Sequence, residues 1–338
     1  MTKATNPEAP RELIDMYNRR LSYLRISITD QCNLKCIYCR PYAHASKVSH
    51  REILRYEEIL RIARVATELG ISKVRVTGGE PLVRNGVYDF LHRLTQIDGI
   101  QDVSLTTNGV HLRENLSKIQ SAGIKRLNIS LDSLDPRKIV SITGRDVLDR
   151  VWQGILEAHR MGFQPIKLNM VPIRNMNDDE LVAFARLSFS YPFHIRFIEY
   201  MPIGDTGIGP DRRILASEIK KRLENAFGPL HPIEQTSGSG PAQRYRFDGA
   251  KGEIGLIRPI SQHFCATCNR LRLTADGQLR VCLLSNHEVD LKTPIRNGCS
   301  DDELKTIFFT AARTKPMEHS FYGGSEDCLK DQMSAIGG

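Results

Sequence analysis

Six short β-rich runs alternate with segments of helical spacing, and that alternation restricts the chain to folds built round a parallel sheet. The runs are Tyr23–Thr29, Lys73–Thr77, Asp102–Thr107, Arg126–Leu131, Ile166–Val171 and Ile195–Tyr200. Between them, Tyr56–Leu69 carries apolar Ile59, Leu60, Ala63 and Ala66, and Val147–Met161 carries Val151, Ile155 and Ala158, the period of an amphipathic helix. Gly70, Gly123 and Gly162 follow three of the helical segments as stops. Strands joined through helices run parallel with right-handed crossovers, so the sheet is either open or curled into a barrel. Such sheets hold their chemistry beyond the carboxyl ends of the strands. The unusual residues fall there: Thr29–Cys39 after the first run, Gly78-Gly79-Glu80-Pro81 after the second, Thr107-Asn108-Gly109 after the third, Asp132-Ser133 after the fourth and Met201-Pro202 after the sixth.

With 338 residues, 41% of them hydrophobic, the chain can bury a large core and is long for one compact unit. After a last helix near Ser217–Ala226 the composition changes, and Thr236–Pro241 reads as a flexible loop or linker. The expected units are therefore residues 16–228 and 229–338. Lys and Arg number 47 against 39 Asp and Glu, and the net charge of +8 favours an anionic partner: nucleic acid, lipid or a phosphorylated small molecule. The sequence lacks a secretory leader and the roughly 18-residue apolar run of a membrane span, so a reducing, cytoplasmic setting is expected. There, eight cysteines are better read as metal ligands than as disulfides. Cys299 and Cys328 stand apart and are taken as structural.

Cys32, Cys36 and Cys39 have the spacing C-x3-C-x2-C, which lets one loop wrap three thiolates round three corners of a four-iron cubane and leaves the fourth iron open. A zinc site completed by His44 is the alternative. Cys265, Cys268 and Cys282 again give three thiolates without a fourth, suggesting a second 4Fe-4S cluster with an open iron; a zinc knuckle borrowing His263 or His287 is the competing account. Downstream, Arg270 and Arg272 share one face of a strand, a good phosphate clamp. No G-x4-G-K-[ST] loop is present, so a nucleotide here is not gripped by a P-loop.

The first cysteine group, the aromatic Tyr38 and the Gly78-Gly79-Glu80-Pro81 turn together resemble the radical S-adenosylmethionine (SAM) superfamily. From about Arg25 to the end, including Asn269–Gly277, Lys315-Pro316, His319 and the terminal Gly337-Gly338, the chain is similar to the GTP 3′,8-cyclase family, lyases that begin molybdenum-cofactor synthesis. The resemblance implies an incomplete (β/α)6 TIM-like barrel with a carboxyl-terminal region carrying the second cluster. It implies that Tyr38, Gly79, Ser130 and Met201 hold SAM, that Arg25, Arg75, Thr106, Lys167, Arg270, Leu271 and Arg272 hold GTP, and that Arg196, Gly337 and Gly338 face the reaction. It further implies a one-electron donor of the flavodoxin or ferredoxin kind and a downstream cyclic pyranopterin monophosphate synthase, with neither nucleic acid nor membrane as partner; it is silent on which donor serves and on oligomeric state, a homodimer being one option. Arg40 departs from the family, where Met commonly precedes the proline. A peptide-modifying or maturation radical SAM enzyme and a zinc-bearing nucleic-acid-binding protein remain the rival readings.

Overall fold

The computed structural model describes residues 12–39, 49, 51–204, 206–234, 240–319 and 333–337. Arg40, His44, Cys328, Gly338 and most of the expected linker, 235–239, lie outside the described residues. The six runs form β1 (Tyr23–Ser27), β2 (Lys73–Thr77), β3 (Asp102–Thr107), β4 (Arg126–Ser130), β5 (Ile166–Met170) and β6 (His194–Ile198). They pair in sequence order and all parallel. Between them stand α1 (Tyr56–Glu68), α2 (Val87–Thr95), α3 (Leu116–Ser121), α4 (Pro136–Thr143), α5 (Leu148–Arg160) and α6 (Leu181–Ser190), with α7 (Ala216–Phe227) after β6. Gly70, Gly123 and Gly162 do end helical segments, each at positive φ near +85°.

The strand period of two sorts the sheet into an apolar and a polar face. Leu24, Ile26, Val74, Val76, Leu105, Leu127, Ile129, Leu168, Ile195 and Phe197 pack with the helices in one core. Helix α1 contributes Ile59, Leu60, Ile62 and Val65, and each such side chain fully buried is worth roughly 1.5–3 kcal/mol. The opposite face carries Tyr23, Arg25, Lys73, Arg75, Asp102, Thr106, Arg126, Asn128, Lys167, Asn169, His194 and Arg196, which the register sets side by side.

Past residue 228 the chain widens this sheet on both sides. On one side β10 (Arg270–Leu273) lies parallel to β1, followed by antiparallel β11 (Gln278–Arg280) and β12 (Glu288–Asp290). On the other, β9 (Glu253–Ile257) lies parallel to β6, followed by antiparallel β8 (Gln243–Arg246) and β7 (His231–Pro232). The result is one twelve-stranded sheet, and a single apolar cluster takes in Phe247, Ile254, Leu271 and Leu304 along with the barrel residues. Helices α8 (Lys292–Arg296) and α9 (Asp301–Arg313) complete the layer, α9 being tied to α1 by Arg61–Asp301 at 2.8 Å and Lys305–Glu68 at 2.7 Å.

The sheet curls round its polar face. Arg196 on β6 is held down to about 9, first by burial and then by the charge of Arg75 on β2. Those strands are four spacings apart, about 19 Å across a flat sheet, where such an influence would be largely lost. Curling brings them together across a chamber. Among the described residues no helix is long and apolar enough to cross a membrane.

Candidate active site

The first cysteine loop leaves the end of β1 and is held by the loop after β2. Gly79 N–H donates to the Thr29 carbonyl at 2.6 Å and Glu80 N–H to that of Gln31 at 2.8 Å. A Cβ on Gly79 would lie 2.4 Å from the Gln31 oxygen and 2.7 Å from that of Asp30, and one on Gly78 would lie 2.7 Å from the Thr29 oxygen. Both glycines thus serve a backbone-to-backbone approach that any side chain blocks. Gly79→Ala is expected to lower stability by about 1–3 kcal/mol through overpacking, read by urea unfolding of the metal-free protein; an unchanged midpoint would refute this.

Glu80 is fully buried and acts as a latch. It accepts from Leu82 N at 3.0 Å, Thr107 Oγ1 at 2.8 Å and Asn108 N at 2.6 Å. Burial pushes its carboxyl up, and those three hydrogen bonds pull against the rise. Asn108 in turn donates to Asn33 at 2.7 Å and approaches the Cys32 sulfur at 3.7 Å. Tyr38 donates its hydroxyl to buried Asp132 at 2.5 Å, and Val171 N–H donates to the other oxygen. Burial raises Asp132 to about 6 against these two hydrogen bonds. Burial also pushes the Cys36 thiol well up, and the charges of Asp132, Cys39 and Cys32 add to the rise. A positively charged body would relieve that repulsion, and iron that took the thiolates as ligands would be one.

The second triad stands against the β10 side of the sheet. Cys265 and Cys268 bracket a short turn in which Cys268 N–H donates to the Cys265 carbonyl at 3.1 Å. Buried Lys315 donates to Cys268 Sγ at 3.6 Å and to the carbonyls of Arg270, at 3.1 Å, and Val281. Burial would raise the Cys268 thiol, but Lys315 and Arg270 outweigh it and the net shift is downward, the condition for a thiolate ligand. Cys282 packs with Met201, Ile203, Leu284, Ile336 and Met333 in a small satellite cluster, so the second triad and the loop after β6 share one apolar patch. His263 pairs with Glu318 at 3.2 Å and His287 is exposed. Among the described residues no three or more His, Cys, Asp or Glu are gathered tightly enough to surround one ion. A cubane spreads its thiolates more widely than tetrahedral zinc, whose sulfurs stand about 3.8 Å apart.

Between the triads lies the polar face. Arg25 is held well below its usual value by burial first, then by Arg272 and Arg75. Burial also lowers Arg270, and it lowers Arg272 to about 10. Lys167 is depressed to about 6 by burial and by the charges of Arg196, Arg126 and Arg75. No hydrogen bond or ion pair is seen joining Lys167 or Arg196 to another described residue, as a polar face open to an anion would leave them. Arg75 Nε, Arg126 Nε and Thr106 Oγ1 are buried donors without partners, as a site built for an anionic, oxygen-rich ligand leaves them, while Asn128 Oδ1 is a buried acceptor open to a ligand hydroxyl or amine.

The remaining expected residues divide. Ser130 ends β4 on the polar face opposite Asn169. Gly337 sits at φ +73° with its Cα so close to Ser27 and Thr77, at the carboxyl ends of β1 and β2, that a Cβ would lie 2.8 Å from the Ser27 Cβ; its carbonyl accepts from Arg272 at 3.2 Å. Leu271 alone points away: it pairs with Leu24 in the helix-side core, leaving only its backbone near the chamber. The sequence reading gave no role to Asp132, Asn108 or Arg126. Arg126 could have been found by counting in twos back from Asn128 and Ser130.

Comparison with known proteins agrees with this geometry. Residues 26–188 match the Radical SAM superfamily and residues 193–321 the family described as Molybdenum Cofactor Synthesis C. The GTP 3′,8-cyclase of Thermodesulfovibrio yellowstonii is 47% identical over 326 residues, 96% of this chain and 99% of that one. That of Syntrophomonas wolfei is 44% identical over 327 residues, covering 96% and 100%. Among solved structures, Streptococcus suis SuiB bound to S-adenosylmethionine superposes with a TM-score of 0.62 at 14% identity, over 81% of this chain and 64% of that one. SuiB bound to precursor peptide SuiA gives 0.65 over 91% and 67%, likewise at 14%. These two speak to the fold alone, which is the radical SAM α/β fold. With full-length relatives at such identity and both family segments in order, the chain belongs to the GTP 3′,8-cyclase family.

Proposed function

We propose that this chain converts GTP to (8S)-3′,8-cyclo-7,8-dihydroguanosine 5′-triphosphate, the first step of molybdenum-cofactor synthesis. The carrying observation is a closed face of cations with few acidic counterparts, bordered by two separate cysteine triads. Cys32, Cys36 and Cys39 would hold one 4Fe-4S cluster, and Cys265, Cys268 and Cys282 a second; the first, with SAM, supplies a 5′-deoxyadenosyl radical able to take hydrogen from the ribose.

What the chain contributes is orientation, charge and exclusion of water. Tyr38, Gly79, Ser130 and Met201 line the end of the sheet where SAM would bind. Arg25, Arg75, Thr106, Lys167, Arg270 and Arg272, with the Leu271 backbone, take the triphosphate; no P-loop is needed because the anion is met by buried guanidinium forks. Holding the phosphates remotely lets binding energy fix the distance between ribose C3′ and guanine C8. By the family resemblance Arg196 and Gly337, with Gly338 after it in sequence, would meet the reacting end of the nucleotide. The net charge of +8 suits an acidic one-electron donor of the flavodoxin or ferredoxin kind, and a cyclic pyranopterin monophosphate synthase would consume the product.

Anaerobic turnover with GTP, SAM and dithionite tests the reading. Equal amounts of 5′-deoxyadenosine and a cyclised nucleotide are expected. If 5′-deoxyadenosine forms with a peptide but never with GTP, the peptide-modifying alternative stands instead.

A further inference from the structure

A buried guanidinium with no part in the reading above sits at the amino-terminal side of the second triad. Residues 13–21 form a narrow turn docked on the end of α1, with Leu13 N–H on the Leu69 carbonyl and Leu21 N–H on that of Leu13. Within it Asp15 folds back on its own turn. One carboxylate oxygen accepts from Tyr17 N and Arg19 N, both at 2.9 Å, and the other accepts from Arg19 Nε at 2.5 Å. Asn18 supports the turn at φ +59°. Both charged side chains are buried, at 7% exposure for Arg19 and 0% for Asp15.

Two edges of the Arg19 guanidinium remain, and both are used. One terminal nitrogen donates to the Cys265 carbonyl at 2.7 Å and the Met317 carbonyl at 2.9 Å; the other donates to the Pro316 carbonyl at 2.6 Å. One planar cation therefore joins a cysteine of the triad to a segment that follows α9, from a position 246 residues away in sequence. That same segment begins with Lys315, which reaches Cys268 and the carbonyls of Arg270 and Val281. Without Arg19, three carbonyls would lose a charged donor in a buried place, at a cost that only movement of the turn could relieve.

We propose that Arg19, oriented by Asp15, is a positioning residue for the second cysteine triad, setting where the Cys265 sulfur stands relative to Cys268 and Cys282. This rests on reading that triad as cluster ligands, but the placement of Cys265 can be measured without any cluster. Lysine is no equivalent, since a single ammonium cannot span three carbonyls while also pairing Asp15.

The test compares wild type with Arg19→Gln, and with Arg19→Lys as a variant that keeps a buried cation should the glutamine form not accumulate. In metal-free protein, alkylation by iodoacetamide is followed cysteine by cysteine. Arg19→Gln is expected to speed labelling of Cys265 at least fivefold, with Cys32, Cys36 and Cys39 unchanged. In reconstituted protein the same variant is expected to lose about half its iron, keep 5′-deoxyadenosine formation within threefold and lose cyclised product at least tenfold. Arg19→Lys is expected to fall between. Labelling that rises equally at all six cysteines, or not at all, would overturn the proposal, since it would make Arg19 a general stabiliser or a bystander. A wild type that binds only one cluster would instead count against the cluster reading of the triad, and the labelling pattern would still judge Arg19.

Discussion

Cys265→Ser is expected to separate the two halves of the chemistry. The variant should still cleave SAM, within about threefold of wild type, because Cys32, Cys36 and Cys39 belong to another loop on another strand and share no ligand with Cys265. Cyclised nucleotide should fall below detection, at least a thousandfold, because the second cluster, which on the proposed reading would hold the guanine base and keep C8 beside C3′, would lose a ligand; misplacement by 1 Å can already cost about a hundredfold. Product analysis alongside 5′-deoxyadenosine measures both at once. Cyclised product at wild-type rates would show that the second triad is dispensable and that the satellite cluster of Met201, Cys282 and Ile336 is packing alone.

Lys167 makes the second large prediction, and here the sign can be worked out. Its pKa is depressed to about 6 by burial and by Arg196, Arg126 and Arg75, with Asp102 alone acting the other way. On its own face it also meets His194, itself lowered to about 4 by burial against the pull of Glu253. In the empty protein at neutral pH the amine is therefore mostly uncharged. A triphosphate entering the chamber favours the ammonium and raises its pKa, so binding takes up a proton. Affinity should fall as pH rises from about 7 to 8, a window in which phosphate groups are already largely ionised and which stays below the value of about 9 for Arg196, by up to tenfold per pH unit. Lys167→Arg keeps a fixed charge and should bind GTP with a flat profile. Lys167→Met should lose affinity about a hundredfold and also be flat. Equilibrium dialysis of GTP across that range decides; a sloping profile in the arginine variant would assign the proton elsewhere. The same depression acts on folding: the unfolded chain binds this proton more tightly, so the lysine's unfavourable contribution shrinks as pH rises from about 6 towards its unfolded value.

Much of this architecture was legible because local sequence carries it. The six core strands are runs of five or six residues in which apolar and polar side chains alternate, and their helices hold the 3.6 period. The structure keeps Lys73–Thr77 and Asp102–Thr107 and moves ends of the other four by one or two residues, at Thr29 and Tyr200 for instance, where the chain leaves the sheet for the site. The triads were legible by spacing, and Arg270 and Arg272 by alternation. Of the six outer strands, the one bearing Arg270 and Arg272 was foreseen and the other five were not. They are two to five residues long, and nothing local to Arg270–Leu273 says that it pairs with Tyr23–Ile26. At Leu271 the same alternation acts in reverse: what turns its neighbours inward turns its own side chain towards Leu24, so a GTP contact there would be through its backbone. Glu80 and Asp132 were placed at the strand ends without a role of their own and Arg19 was not singled out, because an acidic or basic residue reveals its role only through partners, and some of theirs lie 27 to 298 residues away.

The way the sheet is widened also fixes when it can be finished. β1 is the first strand to leave the ribosome, yet its outer neighbour β10 emerges almost last, and β6 likewise waits for β9. Until then the nascent chain shows bare backbone donors and acceptors at two margins, with a row of guanidinium groups open to solvent between them. Such margins invite pairing with other chains, and late long-range closure is slow. Synthesis stopped before residue 253 would leave both margins permanently uncovered, so the carboxyl-terminal third serves as the fold's own protection against self-association as well as the bearer of its second thiolate set.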